Sequence, residues 1–241
     1  MNYYRIAQEK YKEAIKVIKF LRYAPGVKMI AVANSVSQNL AAPASDIDLF
    51  IVTRSGRVWT ARFFCIMILS LLRKRPLHPG IQGNRLGQVQ SLRNKDKICL
   101  TFFLSEDNLN LEKYKIAAQD VYLVEWIRAL KPLYSENTID KEFYHQNRFA
   151  FQGKEKMRRA PFIPNYKRRV GQLIFLKPLL NCLSIGEPFY KWLQLKIMPL
   201  PLKMGAFAWD SAVIVSDKIL KFHTNDRRLE YNSKFKDKNE Q

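Results

Sequence analysis

The feature of this 241-residue chain that most constrains its fold is a pair of apolar runs within residues 27–53, separated by a short polar segment. The first run ends at Asn34, and the second begins with the letters SDIDLFIVT. Short apolar runs bounded by polar turn residues predict two strands joined by a turn. Because alternate residues of a strand point to the same face of a sheet, Asp46 and Asp48 are expected to project together, while Ile47 points into the core.

The two aspartates form a candidate metal site. Their Cβ atoms are expected about 6–7 Å apart, given a rise of roughly 3.3 Å per residue along a strand. Neighbouring carboxylates repel each other unless a cation or a proton lies between them. Mg²⁺ typically takes one or two carboxylates together with the phosphates of a substrate. The alternative is an edge strand whose acidic side chains are solvated or cap the adjacent turn.

This stretch resembles the nucleotidyltransferase superfamily, typified by DNA polymerase beta and the minimal nucleotidyltransferases. The resemblance covers roughly residues 27–105 and is carried by Ser35, in the turn after the first strand, and by Asp46 and Asp48 at the start of the next. It implies that the two aspartates are catalytic and hold two Mg²⁺ ions, with a nucleoside triphosphate (NTP) as substrate. The residues assigned to nucleotide binding on this basis are Asn34, Ser35 and Ser45.

The chain departs from the family pattern in two places. Asn34 stands where the family usually has glycine, although asparagine is the next most tolerant residue for a positive φ angle. The family also takes a third carboxylate from a later strand, whereas the predicted third strand, KICLTFFL, contains no acidic residue. Glu106 and Asp107 follow that strand directly. The sequence alone does not decide whether either of them supplies a third metal ligand.

The net charge of +20 and the isoelectric point near 9.9 favour a polyanionic partner, such as nucleic acid, a nucleotide or an anionic membrane surface. A general solubility charge is the alternative. The segment between Lys154 and Arg169 is rich in cations and includes Phe162 and Tyr166. Such a segment stacks bases and neutralises phosphates in RNA-binding proteins. The alternatives are a solvated linker whose two aromatic residues pack on the core, and contact with anionic lipid.

Cysteine content and hydropathy bear on the compartment. Three cysteines without a C-x-x-C spacing argue against a disulfide framework. The N-terminal segment lacks the apolar core of a signal peptide. The longest apolar run, FFCIMILSLL, is much shorter than the roughly 20 residues that span a bilayer. We therefore expect a cytoplasmic protein.

Helical periodicity predicts most of the remaining elements of the first 150 residues. An amphipathic helix is predicted over residues 2–23 and a largely buried one over residues 57–75. A further helix is expected to be capped by Asp120 and stopped at Pro132. Another is predicted over residues 135–149.

The C-terminal part predicts short, proline-broken helices and one polar cluster, SDKILKFHTNDRR. A helix starting at Ser216 or Asp217 would place Lys221 and Arg228 on one face. His223 is either a general base or phosphate donor, or simply an exposed side chain. The residues of this cluster without an assigned role are Lys221, His223, Asp226, Arg227 and Arg228.

Together these patterns predict an α+β protein. Residues 1–150 are expected to form a small mixed sheet with flanking helices, of nucleotidyltransferase type, and residues 151–241 a basic, mostly helical region. The expected activity transfers a nucleoside monophosphate from an NTP to an acceptor hydroxyl and releases pyrophosphate. The acceptor (RNA or tRNA, a small molecule or a protein) and the oligomeric state stay open. The alternative is an inactive relative that acts as a nucleotide- or RNA-binding protein or as a membrane-surface adaptor.

Overall fold

A mixed β-sheet organises the protein. The computed structural model describes residues 2–76, 95–152, 186–207, 213–222, 228 and 230–233. The strands are β1 (Val27–Val32), β2 (Ile47–Thr53), β3 (Ile98–Ser105), β4 (Lys131–Ser135), β5 (Val213–Val215) and β6 (Ile219–Phe222). Their order in the sheet is β4-β1-β2-β3-β6-β5. The β2–β3 pair is parallel and the other pairs are antiparallel. The mixed sheet expected from the sequence is confirmed, and its nucleotidyltransferase type stays a prediction.

Helices cover both faces of this sheet. They are α1 (Tyr3–Leu21), α2 (Asn34–Ser37), α3 (Val58–Leu71), α4 (Val121–Ala129), α5 (Ile139–Gln146), α6 (Glu187–Ile197) and α7 (Leu200–Phe207). The alternation of strand side chains separates two cores, since Ile51 packs with α1 and α3, whereas Phe50 packs with α4 and α5. On the second face Phe50 meets the Trp126 ring edge-to-face at 5.4 Å.

The predicted elements of the first half are largely present. Asn2 caps α1 by accepting a hydrogen bond from the Arg5 N–H at 3.1 Å. Asp120 caps α4 as expected, because its carboxylate accepts from the Leu123 N–H at 3.1 Å. The prediction for the end of α4 is wrong. Pro132, the expected stop, lies inside strand β4, which is an edge strand where a residue without an N–H is tolerated.

The helix predicted to start at Ser216 or Asp217 is also wrong, because the chain forms the β5–β6 hairpin there. The Ser216 hydroxyl accepts hydrogen bonds from the N–H groups of Lys218 and Ile219, at 3.3 and 3.1 Å, and so closes the turn. The flanking segments VIV and ILKF are rich in β-branched and aromatic residues, which favour strands. Lys221 therefore lies on β6.

Arg228 is buried and contacts residues at and before the start of α4. Its side chain is 5% exposed and lies 3.7 Å from the Asp120 carboxylate. It also donates to the Tyr114 carbonyl at 3.2 Å. It therefore ties the C-terminal part to the start of α4. The other predictions for the end of the chain, on His223, Asp226 and Arg227, lie outside the described residues, as does the segment from Lys154 to Arg169.

The sheet takes strands from both segments that the sequence analysis divides at residue 151, since β6 pairs with β3. The division itself stays a prediction. Helix α6 is joined to α3 by the Glu187 carboxylate, which accepts from the N–H groups of Trp59 and Thr60 at 2.9 and 2.8 Å. A carboxylate at this position satisfies first-turn N–H groups of α3 and interacts favourably with the helix dipole.

Glu187→Ala is expected to lower the free energy of unfolding by about 2 kcal/mol, because charge-assisted hydrogen bonds to two N–H groups are lost. Urea denaturation at neutral pH measures the change. Glu9→Ala is the control, since Glu9 pairs with Arg5 on the surface, where side-chain exposures are 64% and 80%. The control should cost less than about 0.5 kcal/mol. Equal losses in the two variants would contradict the capping role of Glu187.

Candidate metal centre

Three ligand side chains meet where strands β2 and β3 begin. Asp46 and Asp48 come from the start of β2, and Cys99 is the register partner of Asp48 on the parallel strand β3. One ligand atom of each lies within 4.8 Å of the other two. Among the described residues, no other set of three histidine, cysteine or acidic side chains is this close. The sequence-predicted pair is thus brought together, with a thiol beside it.

The strand geometry behind this arrangement follows the predicted alternation. Ile47 and Leu49 are 0% and 1% exposed in the core. Asp46 and Asp48 are half-buried on the other side of the strand. The β-strand repeat therefore supplies both the apolar anchor and the paired carboxylates.

Asn34 holds Asp48 in place. Its backbone adopts a left-handed conformation with φ = 53°, as expected for a residue that stands where glycine is usual. Its side-chain oxygen accepts from the Trp126 indole N–H at 2.9 Å, and its amide donates to the Asp48 carboxylate. The Ala33 N–H also donates to the Asp48 carbonyl at 3.0 Å. Asn34 is therefore a positioning residue for Asp48, and its contact with a nucleotide stays a prediction.

The other predicted nucleotide-binding residues lie next to the pair. Ser35 is in the first turn of α2, whose N-cap, Ala33, makes no side-chain capping hydrogen bond. The Ser45 hydroxyl accepts from the Ala42 N–H at 3.0 Å and so shapes the loop that leads into Asp46. Contacts of Ser35 and Ser45 with phosphate stay predictions.

Lys10 is a supporting residue that the sequence analysis did not single out. Its side chain is 2% exposed. Its ammonium donates to the Ser45 carbonyl at 2.6 Å and to the Asp96 carboxylate at 2.7 Å. It thus ties the loop before Asp46 to the loop before β3. The sequence does indicate that Lys10 is buried, because it lies on the apolar face of α1, one turn from Ala7 and from Ala14.

The structure excludes Glu106 and Asp107 as the third ligand. They follow the far end of β3, where Ser105 pairs with Thr53, roughly 16 Å along the strand from Asp48. Glu106 pairs with Lys28 at 2.9 Å, and Asp107 with Lys218 at 3.1 Å. The side chain that does come from the third strand is the thiol of Cys99. Sequence reasoning missed it because only acidic residues were sought on that strand.

The pKa values of all three side chains in this cluster are raised. Burial raises the pKa of Asp48 to about 7, and the charge of Asp46 adds to this, against opposing hydrogen bonds from Asn34 and Cys99. Burial also raises the pKa of Asp46, although Lys10 opposes it. The pKa of the Cys99 thiol lies well above its usual range because of burial and the two carboxylates. The centre therefore favours a proton or a cation between its carboxylates.

No family model, curated protein or solved structure matches this chain. The nucleotidyltransferase resemblance consequently remains a prediction that stands on the residues and geometry described above. Of the helices that the structure describes, none has the length and the apolar character to cross a membrane.

Asp48→Asn is expected to stabilise the metal-free protein at pH 8, on the order of 1–3 kcal/mol, and to change it little near pH 4. The pKa of Asp48 is raised in the folded state, so the folded chain binds more protons than the unfolded chain between about pH 4 and 7. The wild type therefore loses stability as pH rises through that window. Urea denaturation in EDTA measures the difference.

Asp107→Asn is the matched control for this pH dependence. The pKa of Asp107 is lowered, first by the neighbouring Ser105 hydroxyl and also by Lys218. Its removal should therefore leave stability unchanged or slightly reduced at pH 8. If Asp48→Asn destabilised the protein at pH 8, the described electrostatics of the centre would be wrong.

Proposed function

We propose that this protein is a metal-dependent nucleotidyltransferase, which moves a nucleoside monophosphate from an NTP to an acceptor hydroxyl and releases pyrophosphate. The observation that supports the proposal is the convergence of Asp46 and Asp48 with the left-handed turn at Asn34. A carboxylate pair beside a turn that opens a helix is suited to a metal-bound triphosphate, since backbone N–H groups at such turns bind phosphate oxygens.

The donor set fits Mg²⁺. Asp46 and Asp48 offer hard oxygen atoms within 4.8 Å of each other and are half-buried, so a nucleotide has access to them. When bound there, Mg²⁺ would neutralise charge on the triphosphate and lower the pKa of the attacking hydroxyl. The Cys99 sulfur is a soft donor, so the hard oxygen ligands of this chain are the two carboxylates.

The remaining residues act by positioning. Asn34 orients the Asp48 carboxylate, and Lys10 anchors the loop that carries Asp46. The N–H groups of the first turn of α2 and the Ser35 hydroxyl would bind the terminal phosphates. Phosphoryl transfer depends mainly on positioning and charge stabilisation. These few side chains are therefore of the types that the reaction requires.

A second candidate function is nucleotide binding without transfer. It is favoured by Cys99, which stands on the third strand where the resembled family has a carboxylate. Among the described residues, no third carboxylate joins Asp46 and Asp48. Such a protein would bind an NTP with Mg²⁺ and lack the ligand that completes a two-ion site.

Nucleotide binding is expected to be metal-dependent and to require Asp48. An NTP at 100 times its Kd adds about 2.7 kcal/mol to the free energy of unfolding, which a melting curve detects. Each of the four NTPs is tested with and without Mg²⁺ on wild type, Asp48→Asn and the control Asp107→Asn. We expect stabilisation in wild type and control alone. Absence of stabilisation by every NTP would overturn both candidate functions.

Label transfer by the wild type separates the two candidates, and variants of Cys99 test the role of the thiol. With α-labelled NTP and mixtures of tRNA, protein and small-molecule acceptors, the wild type is expected to transfer label. Cys99→Ser should retain this transfer within about twofold, and Cys99→Asp should raise it roughly tenfold by adding a third hard ligand. NTP binding without label transfer in the wild type would favour the non-catalytic function, whatever the variants do.

A further inference from the structure

Helices α6 and α7 carry an exposed apolar face. Of the large apolar side chains that are exposed in the described part of the chain, five lie within a stretch of 16 residues, each between 55% and 69% exposed. They are Phe189, Trp192, Ile197, Leu200 and Met204. Scattered exposed apolar residues are normal, whereas a concentration of this kind marks an interaction surface.

The opposite side of α6 packs against the rest of the protein, which leaves this face exposed to solvent. Tyr190 stacks on Phe63 with ring centroids 4.7 Å apart. The Gln194 side chain is 3% exposed and donates to the Trp59 carbonyl at 2.8 Å. Met198 is buried against the core at 8% exposure. Phe189, Trp192 and Ile197 are therefore on the side of α6 that the core does not use.

After Glu187, the charged residues of α6 and α7 are all lysines. Residues 188–207 contain Lys191, Lys196 and Lys203 and no acidic residue. The Lys196 ammonium lies 5.1 Å from the centre of the Trp192 ring. The Lys203 ammonium donates to the Lys196 backbone carbonyl at 3.4 Å, which places a second cation near the end of α6. Lys191 is engaged by Asp217 at 2.7 Å, at the edge of this surface.

We propose that the exposed face of α6 and α7 docks on the surface of an anionic lipid bilayer. Amphipathic helices that combine lysines with Trp, Phe and Leu lie in the plane of the interface, with their apolar side chains in the acyl boundary. Tryptophan is enriched at that depth. The lysines and the net charge of +20 complement anionic headgroups. This docking is independent of the proposed transferase activity.

A lipid surface fits this composition better than an apolar protein groove. Lysines are depleted from the buried centre of protein interfaces, whereas the Lys196 ammonium lies over the ring of the exposed Trp192. At a bilayer a lysine keeps its ammonium among the phosphates while its stem lies on the apolar side. The composition of the face thus matches a bilayer surface, where anionic headgroups cover an apolar acyl layer.

Vesicle flotation tests the proposal with the full-length protein. We expect binding to phosphatidylcholine vesicles that contain phosphatidylglycerol, weakened by salt, and little binding to phosphatidylcholine alone. The double variant Trp192→Ser, Leu200→Ser should lower the partition at least roughly tenfold, because two apolar side chains no longer insert. Phe20→Ser is the matched control, since Phe20 is 53% exposed on α1, and it should bind as wild type. Unchanged melting temperatures verify that the variants fold.

Fluorescence gives a second readout that does not depend on loss of binding. In a Trp209→Phe background, which removes the fourth tryptophan of the chain, Trp192 should be quenched by brominated lipid, whereas Trp59 and Trp126 are buried at 1% and 7% exposure. Trp192→Phe should retain flotation and lose most of this quenching. The proposal is overturned by absence of binding to anionic vesicles or by wild-type binding of the double variant. Self-association that this variant abolishes, without vesicle binding, would instead assign the face to contact between copies.

Discussion

The parallel pairing of β2 with β3 is the constraint on which the candidate site depends. It brings Asp48 and Cys99, which are 51 positions apart in the sequence, into direct register. The same pairing sends Glu106 to the opposite end of the sheet, where Lys28 binds it. A parallel ladder needs a crossover between its strands, and α3 supplies it while covering one face of the sheet. Ligand geometry and core packing thus follow from one topological feature.

Keeping two carboxylates together has an electrostatic cost, and the surrounding residues offset part of it. The Asn34 amide and the Cys99 thiol donate to the carboxylates, and Lys10 lies near enough to favour the charged form of Asp46. Asn34 is itself fixed by its bond with Trp126, and Lys10 by its bonds with Ser45 and Asp96. A constellation held in this way is pre-organised, which is the property that a transfer reaction based on positioning requires.

The sequence predicted those parts of the fold whose signals are local. The apolar alternation around Asp46, the amphipathic pattern of α1 and the capping residue Asp120 each lie within a single element. The strand β4 and the β5–β6 hairpin were missed because short edge elements are decided by pairing with distant segments, and Pro132 reads as a helix stop until its edge position is known. Cys99 was missed for a related reason, since the residue that faces Asp48 depends on inter-strand register, which no local pattern reveals.

A thiol in place of a carboxylate changes the charge available to cations. With its raised pKa, Cys99 is neutral at pH 7, so the three side chains carry at most two negative charges from Asp46 and Asp48. Three carboxylates would attract a second divalent cation more strongly, since the interaction scales with the product of the charges. If the centre binds Mg²⁺ as proposed, we therefore expect it to bind one ion more readily than two, and any second ion in the proposed reaction would depend more on the phosphates of the nucleotide. Cys99 then acts as a hydrogen-bond donor that orients the carboxylates, a role that a carboxylate at neutral pH cannot fill.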